Sequence, residues 1–128
     1  MARFLSAEWL DELARVGREH APFGDVSGRV QVVVGGGPEK DVKFVVDLDG
    51  GRISGVAAGV AADAPLTVTL QHPDAVAIEA GELDASVAYM QGRLKAAGDT
   101  GLLLQLLLLT RSPAYHAFRE KLAAVTEV

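Results

Sequence analysis

Between Asp99 and Ser112 the chain reads "DTGLLLQLLLLTRS", and seven of the eight positions from 102 to 109 are leucine. Leucine is a strong helix former, and Asp99 or Thr100 stands in front of the run as a cap, so the stretch predicts a helix. That helix is apolar around almost its whole circumference. A helix on the surface of a small domain needs only an apolar stripe with a polar back. Its other side therefore has to meet more protein, a membrane, a second chain or an apolar molecule. The run falls short of the roughly 20 residues that span a bilayer, so stable membrane insertion is not expected.

Composition sharpens the question. Hydrophobic residues make up 49% of the 128, and fourteen glycines come on top of that. A typical soluble domain reaches about 45–50% only with glycine included. Aromatics account for just 5% of the chain, so the excess is aliphatic. A chain of this length can bury a sizeable core, and the surplus suits an internal cavity or a buried subunit interface. The net charge of −5 offers no basic stripe to neutralise phosphates, which argues against nucleic acid as a partner. With no cysteine there are no disulfides and no thiolate metal sites. The N-terminus "MARFLSAEWLDELARVG" turns amphipathic early and carries acids, unlike a secretory signal, and the closing "TEV" is not a peroxisomal address. The expected location is cytoplasmic.

Hydrophobic periodicity divides the chain. Over about 6–17 the spacing of Trp9, Leu13 and Val16 predicts a helix, with Ser6 as N-cap, Leu5 and Leu10 as a staple, and Gly17 as its stop. From Gly28 the period becomes two. Val30, Val32 and Val34 share one face; Val42, Phe44, Val46 and Leu48 share the next, opposite Lys43 and Asp47. Asp49-Gly50 marks a hairpin turn. A third strand starts near Arg52, and Leu66, Val68 and Leu70 alternate in a fourth, so the strands read as a meander. Short helices follow over "HPDAVAIEAG" and "ELDASVAYMQG", the latter with Leu83, Val87 and Met90 on one stripe. "RLKAAGD" is a short strand with Leu94 and Ala96 inward. Ser112-Pro113 opens a last helix whose face is Ala114, Phe118, Leu122 and Val125. The expected fold is α+β over one domain, residues 1–128: a mainly antiparallel sheet with helices on one face, with sheet and later helices spanning about 24–125.

The stretch "GELDASVAYMQGRLKAAGDTGLLLQLL" resembles the sterol-carrier-protein type 2 family, whose common form of this block is close to A-F-M-x-G-K-L-K-x-x-G-D. Ala88, Met90, Gly92, Leu94, Lys95, Gly98 and Asp99 stand at matching places, and Tyr89 and Arg93 replace the usual phenylalanine and lysine. The upstream "PLTVTLQHPDAVAIEAGEL" fits the family's strand and helix before that block. The resemblance implies a five-stranded sheet and an apolar tunnel between sheet and helices. It also implies binding of sterols, fatty acids, fatty acyl-CoA or phospholipids. The peroxisomal terminus of many eukaryotic members is missing here.

On that reading the leucine helix is either core throughout or a wall shared between sheet and ligand. The expected lining from the helical side is Leu103, Leu106, Leu107, Met90 and Leu94, joined by Tyr89 and Phe118. Phe44, Val46 and Val68 are their expected partners on the sheet. Gln105 reads either as a solvent-facing residue or as a polar contact to the ligand. Arg111, Arg119 and Lys121 read either as a solvated face at a helix end or as a cationic tunnel mouth. "VVVGGGPEK" has no helix behind it and lacks phosphate-loop spacing, so it reads as a hairpin loop. His20, His72 and His116 lie on separate segments without metal-ligand spacing. No nucleophile–base arrangement stands out, so no catalytic residue, metal or cofactor is expected. Three functions follow in order: a non-catalytic carrier of an apolar ligand, an interaction module or homodimer whose surplus is interface, and a small enzyme acting on an apolar substrate.

Overall fold

The computed structural model describes residues 2–19, 24–36 and 41–127. Along the chain run β1 (Ala2–Arg3), α1 (Ala7–Glu19), β2 (Gly28–Gly35), β3 (Val42–Asp49), β4 (Arg52–Ala58), β5 (Leu66–Gln71), α2 (His72–Glu79), α3 (Ala85–Met90), β6 (Leu94–Gly98), α4 (Thr100–Leu109), α5 (Pro113–Ala123) and β7 (Thr126–Glu127). The expected α+β class holds. β2 to β6 form one five-stranded sheet, and β1 and β7 pair separately, joining the two ends of the described chain.

The sheet order is β4-β3-β2-β5-β6. Alternation lays out continuous apolar rows, with Val46, Val30 and Leu66 in one and Phe44, Val32 and Val68 in the next. Three of the four pairings are antiparallel, but β2 and β5 are parallel. The expected meander therefore stops at β4, and the chain crosses back to the far side of β2. A buried glutamine ties down that crossing. The Gln31 amide donates to the carbonyls of Phe44 (3.1 Å) and Gly59 (3.0 Å), and its oxygen accepts from the Ala61 N–H (2.7 Å). Alternation alone carries no signal for this, because Gln31 stands where a solvent-facing polar residue would.

At the β3–β4 hairpin Asp49 pairs with Arg52, so the two turn residues are Gly50 and Gly51, with φ of 57° and 82°. Two consecutive positive φ values suit glycine and match the right-handed strand twist. Gly17 does not stop α1, as its composition suggests, since the helix continues to Glu19. A Cβ at Gly17 would lie 2.7–2.8 Å from Ile53 Cδ1 and Cβ, so the glycine is what lets α1 lie against β4. Ser6, Asp99 and Ser112 cap their helices as expected, with their side chains accepting from the N–H groups of Trp9, Leu102 and Tyr115.

The core lies between the helices and one sheet face, where Leu13, Val30, Phe44, Leu66, Leu103 and Phe118 are all buried. Beyond it, Ala85, Ala88 and Leu94 form a second buried cluster where α3 meets β6. Of the stripe of Leu83, Val87 and Met90 expected to face inward, Leu83 packs half-buried against this cluster, but Val87 and Met90 are exposed. The two small alanines take the inner face instead and bring α3 close to the sheet. No helix among the described residues is long and apolar enough to cross a membrane.

Candidate functional site

Over β2, β3 and β4 the layers do not close completely. They leave a cavity of about 280 Å³. Val30 and Val32 of β2, Val46 and Leu48 of β3 and Ile53 of β4 form its floor. Trp9 and Leu13 of α1, Leu106 and Leu109 of α4, and Phe118 and Leu122 of α5 form its walls and roof. Each side chain arrives through the local pattern that made its element: alternate strand positions for the floor, and three- or four-residue helical spacings for the rest. Trp9 is held by edge contacts with Phe4 (5.0 Å) and Phe44 (6.1 Å). Its indole N–H also donates to Thr126 Oγ1 at 3.0 Å, tying α1 to the C-terminal strand.

One end of the cavity is polar, with Glu79, Thr110, Tyr115 and Arg119 at the wall. Glu79 ends α2 and is 9% exposed, and its Oε1 has no hydrogen-bond partner in the protein. Burial pushes its carboxyl pKa up to about 7; the charge of Arg119 and the Thr126 hydroxyl pull the other way and do not overcome it. Burial likewise raises the Tyr115 phenol to about 12, with the Glu79 charge adding to the effect, so Tyr115 stays protonated. Arg119 donates from Nη1 to the backbone carbonyl of Glu79 (3.3 Å) and packs against Gly81. An apolar pocket with a few polar groups gathered at one end is the usual form of a small-molecule site.

Comparison with known proteins bears on the same region. Residues 12–110 match the SCP-2 sterol transfer family. The chain belongs to that family. Sterol carrier protein 2 of Gallus gallus is 32% identical over 74 residues, which is 58% of this chain and 13% of that much longer relative. A solution structure of palmitated SCP2L2 from Aedes aegypti is 30% identical, covers 84% of this chain and 96% of its own, and superposes with a TM-score of 0.66. A conserved hypothetical protein from Thermus thermophilus, described as possibly a sterol carrier protein, gives a TM-score of 0.75 at 19% identity, covering 98% and 91% of the two chains. That last likeness concerns the fold alone.

In this sterol transfer family member, three of the residues expected to line a ligand site do line the cavity: Val46, Leu106 and Phe118. Phe44 and Leu103 are buried core just outside its wall, and Leu107 and Val68 pack half-buried against the core. Leu94 belongs to the second cluster under α3. Tyr89, Met90 and Gln105 are exposed, Met90 at 77%, because the outer faces of α3 and α4 carry them away from the sheet. The cavity sits over the β2–β4 half of the sheet, whereas Val68, Leu94 and Met90 belong to the β5–β6 half, which α3 fills. Of the three cations proposed as a tunnel mouth, Arg119 reaches the cavity. Arg111 lies 3.8 Å from Asp84 in an exposed pair, and Lys121 faces solvent.

Sequence reasoning missed Trp9, Leu13, Glu79 and Tyr115 as site residues. The apolar face of α1 was visible but read as an outer layer. Glu79 carried a signal too, as the one acid inside the apolar pattern of "AVAIEAG". His72 and His116 lie on α2 and α5, while His20 and most of "GGGPEK" fall outside the described residues.

Proposed function

We propose that this chain carries a lipid in the cavity between sheet and helices and releases it by equilibrium binding, without making or breaking bonds. The observation that carries the reading is the apolar enclosure itself, built from both layers in a member of the sterol transfer family. The palmitated state of the 30% identical Aedes aegypti relative supports it. Each CH₂ moved from water into such a wall contributes about 0.8 kcal/mol, so a hydrocarbon chain binds without special polar chemistry. At about 280 Å³ the cavity stands at the lower edge of the roughly 300–1,000 Å³ of ligand pockets, which favours one flexible chain over a rigid fused-ring ligand.

A second reading rests on Leu104 and Leu108, which are 55% and 72% exposed on the outer side of α4. This stripe fits a contact between two copies of the chain, and it is compatible with the first reading. Native mass spectrometry of the freshly purified protein, followed by organic extraction, addresses both. A bound mass of a few hundred daltons that extracts as lipid supports the carrier, and a ligand-free dimer supports the interface. Leu106→Arg then tests the placement. Leu106 is half-buried, so the arginine stem can reach solvent and the fold survives. The longer stem across the wall and the charge at the cavity rim should sharply weaken lipid binding with an unchanged circular dichroism spectrum. A folded Leu106→Arg protein that binds lipid like the wild type overturns the assignment of this cavity.

A further inference from the structure

A lipid could sit in this cavity with any head group, and its walls would not discriminate. The polar end does. Glu79 Oε1 is a strong acceptor, nine-tenths buried at the cavity wall and without a hydrogen bond. Leaving such a group unsatisfied is costly, so it selects for whatever supplies the missing donor. The neighbouring protein groups do not supply it. The Thr126 hydroxyl lies against the carboxyl and favours its charged form, but its own short bond runs to the Leu122 carbonyl at 2.7 Å, and Oε1 itself is left without a partner. Arg119 directs Nη1 to the backbone carbonyl of Glu79 rather than to its carboxyl, and its guanidinium rests on Gly81.

Building on the carrier reading, we propose that Glu79 is the specificity-determining residue of the cavity and that it selects a single-chain lipid with a hydrogen-bond-donating hydroxyl head over the carboxylate of the same length. The hydroxyl gives Oε1 its proton and brings no charge. A fatty carboxylate has no proton to give and adds a second negative charge beside the first, a repulsion that Arg119 on the same wall offsets only in part and that a water-poor site screens poorly. The discrimination is greatest when Glu79 is ionised and shrinks as it takes up a proton, because a neutral carboxyl can itself donate to a carboxylate. The groups acting on Glu79 are Arg119 and Tyr115 on α5 and Thr126 on β7; Thr110, at the end of α4, lines the same cavity and gives its hydroxyl proton to the Leu107 carbonyl. The lining residues of α1 and the sheet bring no titratable side chain. Tyr115 stays neutral between pH 6 and 8.5, so Glu79 is the group that changes there.

The test uses the full chain with three probes of equal chain length: hexadecan-1-ol, palmitate and methyl palmitate, whose ester head accepts but cannot donate. At pH 8.5 the wild type should hold the alcohol about tenfold more tightly than either other probe, the size expected of one charge-assisted hydrogen bond. The gap should narrow at pH 6. In Glu79→Gln, whose amide can donate as well as accept, the preference and its pH dependence should both vanish. Equal affinity of the wild type for alcohol and ester at pH 8.5 overturns the inference, and that comparison needs no variant and no titrating ligand. A preference that survives in Glu79→Gln overturns it as well. If none of the three probes binds, the carrier reading itself fails, which is a separate result.

Discussion

Glu79 closes α2 beneath α5, and its folded carboxyl titrates near 7 against an ordinary value of 4.5. The folded protein therefore holds this proton more tightly than the unfolded chain does. Between those two values the native state binds more protons, so stability falls as the pH rises and levels off above about 7. The shift corresponds to roughly 3 kcal/mol across that window. Other carboxylates titrate in the same experiment, so the useful quantity is the difference between wild type and Glu79→Gln in urea unfolding. That difference should move by roughly 2.5 kcal/mol in favour of the glutamine variant between pH 5 and pH 8, since part of the unfolded chain's titration lies below pH 5. A difference that stays constant over the range means that burial does not hold the proton on this residue. The sequence showed an acid in an apolar pattern, but not its surroundings, since Arg119, Tyr115 and Thr126 reach it from 36 to 47 positions away.

At the scale of elements, the caps at Ser6, Asp99 and Ser112 were legible because each is a local bond between a side chain and an N–H two or three residues on. The strands were legible for the same reason: alternation is local. The orientation of α4 was not. Among seven leucines Gln105 is the one polar mark, too little to orient the helix; it turns out with Leu104 and Leu108, while Leu102, Leu103 and Leu109 turn in. The stripe on α3 misled for a related reason, because close approach favours small residues over large ones and Ala85 and Ala88 won the inner face. This orientation makes a sharp prediction for two adjacent leucines. Leu103→Ala should cost about 2–5 kcal/mol as a core truncation, while Leu104→Gln should stay within about 0.5 kcal/mol. Urea denaturation of the two variants at a concentration where the chain is monomeric reads both. Similar losses for the pair would mean that α4 is rotated or that its outer face is covered.

Across the whole molecule, the stretch that carries the family resemblance meets the cavity only in part, at Leu106 and, just upstream, at Glu79. Residues 88–99 build the end of α3, β6 and the turn into α4, beside the second buried cluster. The cavity draws mostly on α1, on β2 to β4 and on α4 and α5, segments separated by up to about a hundred positions and brought together by the crossover that returns β5 beside β2 and by the contacts of α1 with β4 and α5. The motif therefore points to the fold and reaches only a small part of the cavity wall. The same arrangement provides an internal reporter, because Trp9, the chain's one tryptophan, stands in the cavity wall and is tied to Thr126. A lipid bound there touches its indole and binds the folded state alone. At a hundred times its dissociation constant it should add about 2.7 kcal/mol, a rise in the melting midpoint on the order of 10 °C for a chain of this size. Trp9 emission should change along the same saturation curve, since one event produces both signals. A midpoint that rises while Trp9 stays silent would place the lipid on the exposed stripe of α4 rather than between the layers. If neither signal moves at saturating lipid, the cavity is a packing defect of the fold and the carrier reading has no site.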